Sequence, residues 1–172
     1  MLFIFVKCIV ILISLVAVCM DLSHEKVKNQ FLAFFWILAL GYQIGMYGLR
    51  GVVFFLTGAG LPILLLYILF FFRMLGAGDI KLLSVLGGFI GPMFVIKCIS
   101  VSFLAGAVIS VFIILIYGNL VSRLKYFTSY ISQLIITKEV VPYCIPGKRR
   151  ENIHFTIPIL ISVLVYIGGL LG

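Results

Sequence analysis

Arg73-Met74-Leu75-Gly76-Ala77-Gly78-Asp79-Ile80-Lys81 sets two bases and an acid beside two glycines, in the middle of a chain that otherwise avoids charge. A carboxylate stands where carboxylates are costly. An Asp at the centre of a bilayer costs about 2.5 to 3.5 kcal/mol on insertion scales, and less near the interface. The plain reading is topological: Arg73, Asp79 and Lys81 form the hydrophilic turn between two membrane helices. That reading says nothing about a second acid, and the rest of the chain supplies one.

Working outward, the composition is that of an integral membrane protein. Of 172 residues, 64% are apolar and 10% charged, with mean hydropathy +1.32. Ordinary soluble domains carry about 25% charged residues. The formal charge of +8 comes from 13 basic and 5 acidic side chains. In a soluble protein that excess would point to nucleic acid, but here the bases lie in connections between apolar runs, where Lys and Arg mark cytoplasmic loops. Cys8, Cys19, Cys98 and Cys144 have no C-x-x-C spacing and read as small core residues rather than a zinc site or a disulfide framework. No small-residue cleavage site precedes Asp21, so the first apolar run reads as a mature helix and not a signal peptide.

The spans follow in order. Residues 2–20 are apolar apart from Lys7 and Ser14, and a helix of that length rises about 28 Å, enough to cross hydrocarbon. Asp21 therefore sits where the first helix reaches water. Residues 31–48 and 51–72 form the second and third spans, joined by the glycine-framed turn Gly48-Leu49-Arg50-Gly51. Two crossings return the chain to the face it left, so Asp21 and Asp79 share one side. The run after Lys81 to Gly91-Pro92 gives a short fourth helix of about 18 Å, sunken or set where the bilayer thins. Residues 95–118 form a fifth span whose small face, Ser102, Ala105, Gly106 and Ser110, suits close helix contact.

Residues 119–152 leave the membrane. In the first half, Leu124, Phe127, Ile131, Leu134 and Ile135 recur at helical spacing opposite Arg123, Lys125, Ser129 and Gln133, as expected for an interfacial helix. Pro142, Pro146 and Gly147 end it before the basic cluster Lys148-Arg149-Arg150, and residues 153–171 form the sixth span. The expected fold is an all-α polytopic membrane bundle of about six transmembrane helices plus that interfacial helix. It forms one domain over residues 1–172, with a cytoplasmic loop at about 119–152.

With the loop after the first span in the cytoplasm, ten of the thirteen bases fall on that side; Arg50 and Lys97 fall outside and Lys7 lies within the first span. Both termini then face out and both aspartates lie near the cytoplasmic face.

Two carboxyl groups held close cannot both ionise easily, so the pair shares a proton. One acid takes a proton from water while the other donates to the substrate oxygen, the division of labour of aspartic proteases. Such a pair cleaves amides without a metal, cofactor or activated Ser or Cys. His24 and His154, the only histidines, are too few with Glu25 for a metal site, and His24 reads as an interfacial residue. Gly76 and Gly78 are expected to permit positive φ and close approach to the carboxylate. Lys81 has two expected roles, support for ionised Asp79 or anchorage to lipid headgroups.

At these residues the chain resembles the type IV prepilin peptidases, membrane aspartic proteases with a G-x-G-D signature and a following Lys. Gly76-Ala77-Gly78-Asp79-Ile80-Lys81 matches that signature in full. Asp21 with the trailing Lys28-Asn29, and Ile153-His154-Phe155-Thr156-Ile157-Pro158 opening the last span, match further landmarks in order. Lys28 and His154 stand where the family pattern has Pro. The resemblance implies that Asp21 and Asp79 are the catalytic pair, supported by Gly76, Gly78 and Lys81. It also implies a substrate: a pilin-like precursor with a basic cytoplasmic leader, cut just before an apolar helix that stays in the bilayer. Larger members carry a Cys-rich segment and N-methylate the new terminus. This chain resembles the compact members, so peptidase activity is expected without methyl transfer.

Rival readings are a preflagellin-type or another G-x-G-D intramembrane protease, a small proton-coupled transporter using the same carboxylates, and a non-catalytic scaffold. The presenilin group has its first Asp within a span after a Tyr, whereas Cys19-Met20 precede Asp21 at a span end.

Overall fold

The computed structural model describes residues 2–24, 27–72, 74–117, 125, 128, 129, 132, 133 and 154–169. Six helices are described, α1 (Leu2–His24), α2 (Asn29–Tyr47), α3 (Leu49–Phe71), α4 (Ala77–Ile90), α5 (Pro92–Tyr117) and α6 (Thr156–Ile167). Among the described residues there is no strand. In hydrocarbon the backbone must satisfy its own polar groups, and uninterrupted apolar runs do so as helices.

Four helices are long and apolar enough to cross a membrane, over Ile4–Ser23, Asn29–Tyr47, Leu49–Phe71 and Pro92–Ile113. The other two are shorter than a full crossing, which takes about 20 residues. The fourth, of 14 residues, is short as the sequence indicates; the sixth, of 12 residues, is shorter than the run 153–171 leads one to expect. Its apolar sequence starts at the His154-Phe155 turn, with the first helical residue at Thr156. The expected interfacial helix lies outside the described residues, apart from isolated positions at 125, 128, 129, 132 and 133.

α4 is the hub. Ile80 and every residue from Leu82 to Phe89 are buried, because the helix is packed by α3, α2, α5 and α1 together. α6 closes the bundle against α1 and α5. Large apolar side chains such as Ile37, Leu64 and Ile116 point outward and are at least 70% exposed, as lipid-facing positions are.

Polar ties set the register. Trp36 Nε1 donates to Ser84 Oγ at 3.1 Å, and Ser84 Oγ donates to the Ala59 carbonyl at 2.7 Å, joining α2, α4 and α3. The last carbonyls of a helix have no partner within it. Gln43 Nε2 from α2 meets two of them in α4, Gly88 O at 3.0 Å and Phe89 O at 2.9 Å. Both ties pair successive residues of α2 with successive residues of α4, so these two helices run parallel, and α3 between them in sequence runs back.

The α2–α3 turn is tighter than the sequence indicates. Gly48 alone separates the helices, at φ 58°, a left-handed conformation that L side chains rarely adopt. Where α3 crosses α4, Gly58 and Gly87 lie backbone against backbone, and a Cβ on either would overlap the other's carbonyl.

α5 and α6 run antiparallel: Phe94 stacks edge-on with Tyr166 at 4.5 Å, Ser102 Oγ donates to Ser162 Oγ at 3.0 Å, and Gly106 faces Phe155 and Pro158. The small face foreseen for the fifth helix is thus used at Ser102 and Gly106. Cys98 is buried with its Sγ 2.7 Å from Ser162 Oγ, a core position as expected. Cys8 and Cys19, by contrast, are exposed on α1 and are not core residues; an apolar outer surface accepts a small soft side chain as readily as the interior does. Cys144 lies outside the described residues.

Candidate active site

One end of the bundle gathers the end of α1 and the beginnings of α2, α4 and α6. Asp21 lies in the last turn of α1, a place where the helix dipole disfavours an anion. Its carboxylate is held by α6. Thr156 Oγ1 donates to Asp21 Oδ2 at 2.8 Å, and His154 Nδ1 lies 3.0 Å from the same oxygen. Thr156 is buried, Asp21 is 14% exposed and His154 33% exposed. The two contacts place the start of α6 over the end of α1, and at the opposite end Lys7 lies 5.7 Å from the Tyr166 ring. α1 and α6 are therefore antiparallel along their length.

Asp79 sits in the first turn of α4, three residues after the cap residue Gly76. An acid in this position reaches back to the cap N–H, as in a capping box, and the Gly76 backbone N–H is hydrogen-bonded to the Asp79 carboxyl. Asp79 stands at the mouth of α4, outside the four long apolar helices. Burial, and next the negative charge of Asp21, push the Asp79 carboxyl up to about 7, against smaller opposing effects from the Gly76 N–H and His154. The charge of Asp21 thus bears on the Asp79 carboxyl. The two are the only aspartates in the chain, from positions 58 residues apart, brought together by the out-and-back excursion of α2 and α3.

The glycines act differently from the sequence expectation. Neither takes positive φ: Gly76 is extended at φ −72° and ψ 143°, and Gly78 is helical. At Gly76 the missing Cβ still matters, because it would stand 3.1 Å from Asp79 Oδ2. At Gly78 a Cβ would meet only Val27, at 3.9 Å. Lys81 takes a partner foreseen by neither expected role: its Nζ donates to Asn29 Oδ1 at 2.9 Å, tying the start of α4 to the start of α2. Two residues along a helix turn it to the opposite side from Asp79. The side chain of His24 lies outside the described residues.

Sequence reasoning missed His154 and Thr156 as neighbours of Asp21. The available signal was His154 standing where the resembled pattern has Pro, a polar group at the mouth of an apolar helix.

Residues 8–135 match the sequence model of the type IV leader peptidase family, about three-quarters of the chain. The chain belongs to that family. No curated protein and no solved structure matches it. The matched segment of this leader-peptidase family member contains Asp21, Asp79 and the whole Gly76-to-Lys81 motif, and ends before His154 and Thr156.

Proposed function

We propose that this family member is an aspartic endopeptidase that removes the leader peptide of type IV prepilin-like precursors at the cytoplasmic face of the membrane. The observation that carries the reading is the packing of α1 against α4, which brings Asp21 and Asp79 to one end of an apolar bundle where the charge of one bears on the other. An acid kept protonated near neutrality beside an acid held by hydrogen-bond donors is the arrangement that divides general acid from general base.

The reaction is then a hydrolysis. Asp79 holds the shared proton and gives it to the scissile carbonyl oxygen as water attacks the carbon. Ionised Asp21 takes the proton lost by that water. In the second half, the tetrahedral carbon reforms its C=O, returning a proton to Asp79, while Asp21 passes its proton to the departing amine. Both carboxyls end in their starting states, and one water has been consumed.

Topology supports the substrate class. The excess of Lys and Arg in the connections on the site's side favours a cytoplasmic site with both termini outside. A basic leader would there be met in water, while the apolar helix behind the cut stays among the spans.

The test is cleavage of a prepilin-like precursor by purified Asp21→Asn and Asp79→Asn variants in detergent. Each is expected to lose at least about 1000-fold in kcat while keeping the fold, by analogy with loss of a member of other acid–base dyads. Undiminished cleavage by either variant rejects the assignment.

A further inference from the structure

We propose that His154 and Thr156, both from the start of α6, are positioning residues that grip one oxygen of Asp21 and leave the other free to take the proton of the attacking water. This inference rests on the aspartic reading above and assigns the base to Asp21 within it.

Both contacts end on Oδ2, from Thr156 Oγ1 at 2.8 Å and His154 Nδ1 at 3.0 Å. An ionised carboxylate only accepts hydrogen bonds, so Nδ1 carries the proton in this contact. Two donors on one oxygen fix the plane of the carboxylate, and among the described residues no hydrogen bond ends on Oδ1. The start of a helix also carries partial positive charge, and here it is α6 that faces the anion in the unfavourable last turn of α1. Thr156 is 1% exposed, so its hydroxyl has no bulk water to compete for it. Among the described residues, the titratable groups that face Asp21 are His154 from the start of α6 and Asp79 from α4. Asp79 also meets a helix start, through the Gly76 N–H, but burial and the charge of Asp21 outweigh it and push Asp79 toward its protonated form.

The two donors lie beyond the segment matched by the family model, which ends at residue 135, while Asp21 lies within it.

The experiment uses the full chain in detergent, with a prepilin-like precursor as substrate. Thr156→Val and His154→Ala are expected to lower kcat by about 10- to 100-fold with KM unchanged, the size of loss that misplacement of a reacting group produces. Thr156→Ser and His154→Asn, which return a donor at similar reach, are expected to recover most of it, and so separate positioning from general damage to the fold. A second readout needs no activity. In the Asp79→Asn background Asp21 is the sole aspartate, so ¹³C-aspartate labelling gives an infrared carboxyl signal from Asp21 alone, which is expected to shift when Thr156→Val or His154→Ala is added. Wild-type kcat in both single variants, or an Asp21 signal that neither substitution moves, overturns the clamp. If Asp21→Asn or Asp79→Asn leaves cleavage intact, the aspartic reading itself fails, a different result from loss of the clamp alone.

Discussion

The carbonyl of Gly58 in α3 faces the backbone of Gly87 in α4 with no side chain between them. In a regular helix that carbonyl would accept from the N–H of residue 62, but residue 62 is Pro, buried inside α3, and has none to give. The close approach instead sets that carbonyl against the Gly87 backbone, in the space a Cβ would occupy. Gly87→Ala is expected to force the helices apart and to destabilise the protein by about 1 to 3 kcal/mol, as overpacking does. Thermal unfolding in detergent micelles checks this, and an unchanged transition would contradict the crossing.

The two glycines of the motif are expected to behave differently. Gly76→Ala puts a methyl 3.1 Å from Asp79 Oδ2, so the carboxyl must turn from its N–H partner, and kcat is expected to fall by about 10-fold or more. Gly78→Ala meets only Val27 at ordinary contact distance, and in the first turn of α4 it should leave stability unchanged or raise it by up to about 1 kcal/mol. Paired unfolding and cleavage measurements on both variants decide; equal loss of fold in the two would contradict the geometry.

Activity is expected to fall on the alkaline side. With the Asp79 carboxyl pushed up to about 7, the protonated acid is depleted above that pH, and kcat/KM should drop about tenfold per pH unit there. A profile flat from pH 6 to about 9 would show that no proton on Asp79 is required.

The same group makes stability depend on pH. Its value is raised on folding from 3.8 to about 7, so the folded state binds more protons between those limits. Stability is then fully present below about 4 and is lost as pH rises toward 7, with a slope approaching about 1.4 kcal/mol per unit. Asp79→Asn removes that contribution. Unfolding midpoints taken across this window should slope for the native protein and flatten for the variant; parallel curves would contradict the assignment.

Gln43 offers a test remote from the site. Its amide meets the Gly88 and Phe89 carbonyls at the end of α4, while its own Oε1 has no hydrogen-bond partner among the described residues. Gln43→Met fills the volume but leaves both carbonyls unmet, and should cost about 1 to 2 kcal/mol, typical of hydrogen bonds between membrane helices. Equal unfolding midpoints for the two proteins would show that the cap contributes nothing.

Much of this was legible because charge is scarce in the chain. Two aspartates separated by two apolar runs must return to one side, and the structure places them within electrostatic reach. The helical class and the shortness of α4 follow from run lengths alone. Other features depend on partners that no local pattern names. His154 meets an acid 133 positions earlier, across a polar stretch whose course the sequence does not specify. The Gly58–Gly87 crossing depends on two backbones meeting, and glycine spacing within either helix does not announce it. The roles given to Gly76 and Gly78 went astray because a residue type permits positive φ without requiring it. Cys8 and Cys19 were misplaced for a related reason, since in a bilayer an apolar side chain suits the outer surface and the core alike.

The antiparallel pairing of α1 with α6 also has a consequence for biogenesis. The ribosome delivers both aspartates long before it delivers the threonine and histidine that hold the first of them. A nascent chain with five helices inserted would carry the acids but not their clamp. Full activity would then arrive only when the last helix docks against the first.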